Sequence, residues 1–314
     1  MSGSIPTFIY DTKYNPLSFD IVFWLACCSL QSMDHNDEGI FDVILVVDGY
    51  RDVGIEAAYS SSYRIRKCYS VLIKIVSICK WVRNFTVART SESLAIAEGT
   101  RVLPASWRHA LTLDQLSVPQ HIISPMTTIQ VEELMQTRSF KLHGFEYDGD
   151  LINFANDRLI IIHPRCSDVN GLRNTPIEIF NDLQEFLVKE GYHVKCIPDI
   201  DDLLGDNIWA KSFDCLSHAS SDPLLRVGYS LGASLNILWA AGNPAPLMFS
   251  RASFLLFGLL NDSIATSSRD FFARKGPVVG RNPKWFGKNQ RLDWTRSEEV
   301  TASYMRDSIF AVRA

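Results

Sequence analysis

"LLRVGYSLGAS", residues 224–234, contains Gly228-Tyr229-Ser230-Leu231-Gly232 and so spells G-x-S-x-G, the pattern of a nucleophile elbow. Read as an elbow, it makes the chain a serine hydrolase acting through Ser230; read as a helix, it makes Ser230 an interior residue of a different α/β fold. An elbow serine needs an acid and then a histidine later in the chain. The histidines stand at 35, 109, 121, 143, 163, 193 and 218, and none follows Ser230. A base supplied by His163 or His193 requires a rearranged fold. The helix has its punctuation in place: Asp222 or Ser221 caps, Pro223 opens, and Leu224, Val227, Leu231, Leu235 and Leu238 recur at helical spacing. Gly228 and Gly232 then lie four apart, each costing about 1 kcal/mol against alanine, which implies close approach of a backbone or a ligand. The helix is the expected form.

Working outward, the chain alternates strand-like and helix-like stretches. "TFIYDT" is a short apolar run, "SFDIVFWLACCSLQSM" has helical spacing behind Ser18, and "FDVILVVDGYR" is a β-branched run ending in Asp-Gly. "SSYRIRKCYSVLIKIVSICKWV" reads as an amphipathic helix, "NFTVAR" as a strand and "SESLAIAEG" as a helix. From about 101 to 150 the pattern weakens around prolines 104, 119 and 125, and it resumes with "RLIIIHPR", "TPIEIFNDLQEFLVKEGY" and "HVKCIPDIDD". The middle piece has Thr175 as N-cap, Pro176 at the first helical position and Gly191 near the end. "NILWAAGNPAPLMF" reads as strand, turn and strand. This βαβα order implies doubly wound parallel sheets in two domains, 1–150 and 151–314, each with its ligand edge at the strands' carboxyl ends.

The 314 residues suit two cores. A net charge of −4 and a pI near 6.0 give no general reason to bind nucleic acid, so none is expected as a partner. Seven cysteines without a C-x-x-C pair suggest neither a disulfide framework nor zinc, and with no secretory signal the expected setting is a reducing cytoplasm. The most apolar runs fall short of the roughly 20 residues that span a bilayer, which leaves peripheral membrane contact open. The basic, aromatic tail after 251 reads as an arm that packs its aromatic residues.

Candidate chemistry lies just beyond the strand ends. Asp11, with Tyr14 and Asn15, follows the first strand, and Asp48, with Gly49 and Arg51, the second. Arg165 follows "LIIIHP", and Asp199 and Asp201 follow "HVKCIP". Arg173 and Asn174 precede a helix whose first amides favour an anion. Arginine's planar fork suits a diphosphate, which makes Arg165 and Arg173 its expected ligands. "AAGNPAP", residues 240–246, lets backbone approach a ribose or a base. No glycine fingerprint, metal-ligand spacing or resident cofactor is indicated.

Taken in order, Arg165, "RNT" before a helix, "IPD" after the next strand, and "RVGYSLGASLN" leading to "AGNPAPLMF" resemble the C-terminal half of bacterial GT-B glycosyltransferase-like proteins of the heptosyltransferase type. "YNPLSFDIVFWLA" with "VVDGYR" resembles their N-terminal half. The resemblance implies two Rossmann-like domains facing a cleft, a nucleotide-sugar donor on the second, a glycan or lipid-linked acceptor on the first, and no metal. It places Arg165, Arg173 and Asn174 on the donor diphosphate, Asp199 beside it, Gly242 and Asn243 on the nucleotide or ribose, and Asp11 or Asp48 as the base. A non-catalytic sugar-nucleotide or partner-binding protein of the same fold is the alternative.

Overall fold

The computed structural model describes residues 5–19, 21–47, 49, 59–89, 100, 102–103, 143–147, 156–166, 174–199, 208–239, 245–257, 286–293 and 300–313. The chain divides into two compact units, Met1–Phe145 and Glu146–Ala314.

In the first unit the elements run β1 (Thr7–Asp11), α1 (Ile21–Ser32), β2 (Phe41–Val46), α2 (Ser61–Lys67), a π-helical stretch (Cys68–Ile73), α3 (Lys74–Ile78), β3 (Val82–Ala88) and β4 (Val102–Leu103). The four strands pair in parallel in the order β3-β2-β1-β4. The single long helix expected from "SSYRIRKCYSVLIKIVSICKWV" is α2, the π stretch and α3 in succession, and Trp81 and Val82 lie beyond it. α1 buries eleven of its twelve residues, so it is a core helix, as its near-continuous apolar sequence requires. Phe8 meets Trp24 and Phe41 edge to face at 6.2 and 5.3 Å, and Tyr10 meets Trp24 at 5.0 Å, geometry that suits the ring quadrupoles.

The second unit contains β5 (Asn156–His163), α4 (Ile177–Lys189), β6 (His193–Cys196), a 3₁₀ turn (Trp209–Lys211), β7 (Asp214–Cys215), α5 (Ser217–Ser220) and α6 (Pro223–Gly232). β8 (Ala233–Trp239), a 3₁₀ turn (Ala245–Phe249), β9 (Phe254–Phe257), β10 (Gln290–Asp293) and α7 (Ala302–Arg313) follow. Its six strands are parallel in the order β10-β9-β8-β5-β6-β7. Numbered within the unit, that is 3-2-1-4-5-6 read from the β7 side, the doubly wound dinucleotide-binding order. Strand order reverses between β5 and β8, and the carboxyl edge there is where such sheets hold ligands. α4 covers one face with Phe180, Leu183 and Leu187, each contributing roughly 1.5–3 kcal/mol by burial. Phe180 stands edge-on to Trp209 and Trp239 at 5.9 and 5.6 Å.

Local expectations need correcting in three places. α6 stops at Gly232 and β8 begins at Ala233, so Leu235 and Leu238 belong to a strand. Pro176, with extended backbone, occupies the N-cap of α4, and the Thr175 hydroxyl is engaged elsewhere. Residues 245–249 form a buried 3₁₀ turn rather than a strand, in keeping with Pro246, which has no N–H to give to a ladder.

Candidate functional site

In the second unit the carboxyl ends of β5 and β6 are tied together. Arg165 N–H donates to Thr175 Oγ1 at 2.7 Å, and Thr175 N–H returns a bond to Arg165 O at 2.9 Å. This pair closes the loop between β5 and α4 and sets the Arg165 backbone beside the start of α4, the positive end of that helix's dipole. Cys166 N–H donates to Asp199 Oδ2 at 3.4 Å across from β6. The Arg165 side chain is half-buried, and among the described residues its Nε, shielded from solvent, has no hydrogen-bond partner. A desolvated donor without an acceptor is costly, and here it belongs to a side chain suited to a bidentate anion.

Beneath this edge lies a buried polar cluster. Arg226, 1% exposed, donates to His163 Nδ1 at 3.0 Å and to Pro198 O at 2.8 Å. His163 Nε2 lies 3.1 Å from Asn236 Oδ1 and 3.3 Å from Ser230 Oγ. Asn236 Nδ2 donates to Ser230 O and Ser253 O, both at 2.9 Å. Burial pulls the Arg226 pKa down to about 10, against which the Asp199 charge acts, so the guanidinium stays protonated at neutral pH. Burial, helped by the Arg226 charge, pulls His163 down to about 3.

These bonds assign the His163 tautomer. A guanidinium only donates, so Nδ1 accepts and the neutral ring carries its proton on Nε2. That proton goes to Asn236 Oδ1, because the Asn236 amide nitrogen is committed to two carbonyls. Nε2 therefore offers no lone pair to Ser230, and a ring with a pKa of about 3 is too weak a base near neutral pH. Ser230 is wholly buried on a helix that precedes its strand, the reverse of an elbow. The opening motif is a helix capped by the Asp222 carboxylate, which accepts from Leu224 N–H at 2.9 Å and Leu225 N–H at 3.3 Å. Its close approach is real: a Cβ added to Gly228 would stand 3.0 Å from the Tyr147 ring.

In the first unit Asp11 ends β1, which has β2 on one side and β4 on the other, so it too stands where strand order reverses. Its Oδ1 accepts Lys13 N–H at 2.9 Å, and its carbonyl accepts from Tyr14 and Asn15 N–H and from Asn15 Nδ2. Thr12 bonds Val46 O and Gly49 O through its hydroxyl, stitching the loops after β1 and β2.

Of the expected site residues, Arg165 and Asp199 are brought to one edge, with Asn174 half-buried beside the Thr175 that Arg165 bonds, while Asp11 stands at the corresponding edge of its own sheet. Asp48, Arg173, Gly242 and Asn243 lie outside the described residues. Sequence reasoning passed over Arg226 and Asn236, and weighed His163 only as a base for Ser230. The signal was present as one arginine within "PLLRVGYSLG" and one histidine closing "LIIIH", charge and polarity set inside apolar runs. Among the described residues no group of His, Cys, Asp or Glu is placed to hold a metal ion, and no helix is long and apolar enough to cross a membrane.

No family model and no curated protein sequence matches this chain. Solved structures do. ADP-heptose LPS heptosyltransferase II of Escherichia coli superposes with a TM-score of 0.54 at 10% identity, covering 98% of each chain. A glycosyl transferase family 9 protein of Veillonella parvula superposes with a TM-score of 0.52 at 10% identity, covering 99% of this chain and 98% of its own. Over nearly its whole length, then, the chain shares the fold of these two proteins.

Proposed function

We propose that the protein is a GT-B-type glycosyltransferase that moves a sugar from a nucleotide-sugar donor to a glycan or lipid-linked acceptor in the cytoplasm, without a metal. On this reading residues 151–314 hold the donor and 1–150 the acceptor, as two Rossmann-like domains facing a cleft. The observation that carries it is Arg165: a guanidinium at the switch point of a 3-2-1-4-5-6 sheet, its Nε desolvated and unpaired among the described residues, beside a helix N-terminus. A diphosphate supplies the missing acceptors.

Arg165, with Arg173 and Asn174, would then neutralise the diphosphate as the bond from the anomeric carbon to its oxygen breaks, work that a metal does elsewhere. Asp199 would border the diphosphate, and Gly242 and Asn243 the nucleotide or its ribose. The acceptor hydroxyl attacks the anomeric carbon and gives its proton to Asp11 or Asp48. ADP-linked sugars are the first donors to try, given the donor named for the E. coli protein.

A thermal-shift screen against UDP, GDP, ADP, CMP and their sugars, with and without a chelator, tests this. One nucleotide family should raise the Tm irrespective of chelator, by about 2.7 kcal/mol of stabilisation at a hundredfold excess over Kd. Arg165→Ala should weaken that binding about tenfold or more, since it removes a charge-assisted contact. Unchanged affinity in the variant would sink the site, and binding without transfer or donor hydrolysis would assign a non-catalytic sugar-nucleotide-binding role.

A further inference from the structure

The chain is acidic overall, yet residues 57–91 contain seven basic residues and no acid. Within that stretch the helical run from Ser61 to Ile78 sends Cys68, Val71, Leu72, Ile75 and Val76 into the core. Its opposite face carries Ile65 at 48% exposure and, one turn on, Tyr69 at 62%, with the exposed Arg66 between them. Arg66 and Lys67 lie 5.8 and 5.3 Å from the Tyr63 ring. A branched aliphatic and a tyrosine held out among cations are what an interfacial helix presents to a lipid headgroup layer: apolar side chains enter, and bases meet the phosphates. The run is the crossover from β2 to β3, so its first turns stand toward the carboxyl edge of the first sheet, the edge on which Asp11 lies.

We propose that this face of the helical run, centred on Ile65, Arg66 and Tyr69, is a docking surface for an anionic phospholipid bilayer. Charge complementarity selects the occupant. With a net charge of −4 the chain has no general attraction to polyanions, and Arg66 and Lys67 stand in sequence between the exposed Ile65 and Tyr69. A purely electrostatic partner such as RNA has no use for an exposed isoleucine, whereas a membrane interface does.

The test is co-flotation of the full chain with vesicles of equal parts phosphatidylglycerol and phosphatidylcholine, and with phosphatidylcholine alone. The protein should float with the anionic vesicles and not with the neutral ones, and added salt should release it. Each base near an anionic surface strengthens partition about fivefold, so Arg66→Gln with Lys67→Gln should lower it about twenty-five-fold. Ile65→Ser with Tyr69→Ser should lower it several-fold while leaving charge unchanged, and Arg306→Gln on α7 should leave it as it was. Ile65, Arg66 and Tyr69 are exposed and Lys67 is half-buried, and unchanged melting curves would show that the variants fold. No flotation, or flotation undiminished in both double variants, would overturn the proposal. So would binding to single-stranded RNA that needs Arg66 but not Ile65, since that surface would be a polyanion site. Flotation requires neither donor nor acceptor, so its failure leaves the glycosyltransferase reading standing, and a failed nucleotide screen leaves this one standing.

Discussion

His163 ends β5 with its ring wholly buried, and burial, followed by the Arg226 charge, holds its pKa at about 3 against an ordinary value of 6.5. A depressed folded pKa contributes stability that is present above the unfolded pKa and lost as pH falls toward the folded one. In the window from about pH 6.5 down to about 3 the unfolded chain takes up a proton that the native ring refuses, so stability should fall by about 1.4 kcal/mol per pH unit from this group. His163→Gln keeps an acceptor for Arg226 and a donor for Asn236 but does not titrate. Urea midpoints measured between about pH 4 and 7 should therefore show a flatter acid limb in the variant, and parallel limbs would contradict the buried neutral ring. The sequence displayed each of these residues without showing that they meet. Arg165, by contrast, was legible as a candidate, because position after an apolar strand is a local property. Two of the partners of Arg226, His163 and Pro198, lie 63 and 28 residues away in the chain and come beside it only after the sheet forms.

At the scale of elements, the strands were the legible part. Continuous β-branched runs such as "FDVILV" and "LIIIH" leave little alternative to a parallel strand covered on both faces. Boundaries were harder where two elements join without a loop, as at Gly232 and Ala233, because the leucine spacing of α6 continues into β8 and fits both periods for a turn. The stripe held in part: Val227 is buried, but Leu224 is 37% exposed, and Arg226, Gly228 and Ser230 are buried with Val227. The helix had to admit a guanidinium network and the Tyr147 ring, so small and polar residues went inside. A comparable fit occurs in the first unit, where Lys80 N–H donates to Gly144 O at 2.8 Å and draws the segment 143–145 onto Trp81. A Cβ at Gly144 would lie 2.6 Å from the Trp81 ring, and that ring is itself buried and edge-on to Phe145 at 6.0 Å. Gly144→Ala should cost about 1–3 kcal/mol, the usual penalty of overpacking. Denaturant unfolding would read it directly, and a variant as stable as the parent would mean that the segment is free to move away from the ring.

At the scale of the whole molecule, both units order their strands the same way, 3-2-1-4, with the second adding two more. Each buries its own apolar core and has its own carboxyl edge, where such sheets hold ligands, so the proposed roles divide between two edges that can be read separately. Nucleotide contact with the second sheet alone leads to a sharp expectation for hydrogen exchange. A ligand that ties down Arg165 should slow exchange of the amides of Arg165, Cys166, Ile197 and Asp199 and of the first turn of α4, because opening those segments would then also require releasing the ligand. The amides of Thr12 to Asn15, after β1, should exchange as before when only a nucleoside diphosphate is added. They should slow when an acceptor binds beside Asp11. Protection by nucleotide at Thr12 to Asn15 and none at 165–166 would reverse the assignment of donor and acceptor to the two units, while leaving the fold and its strand-end logic intact.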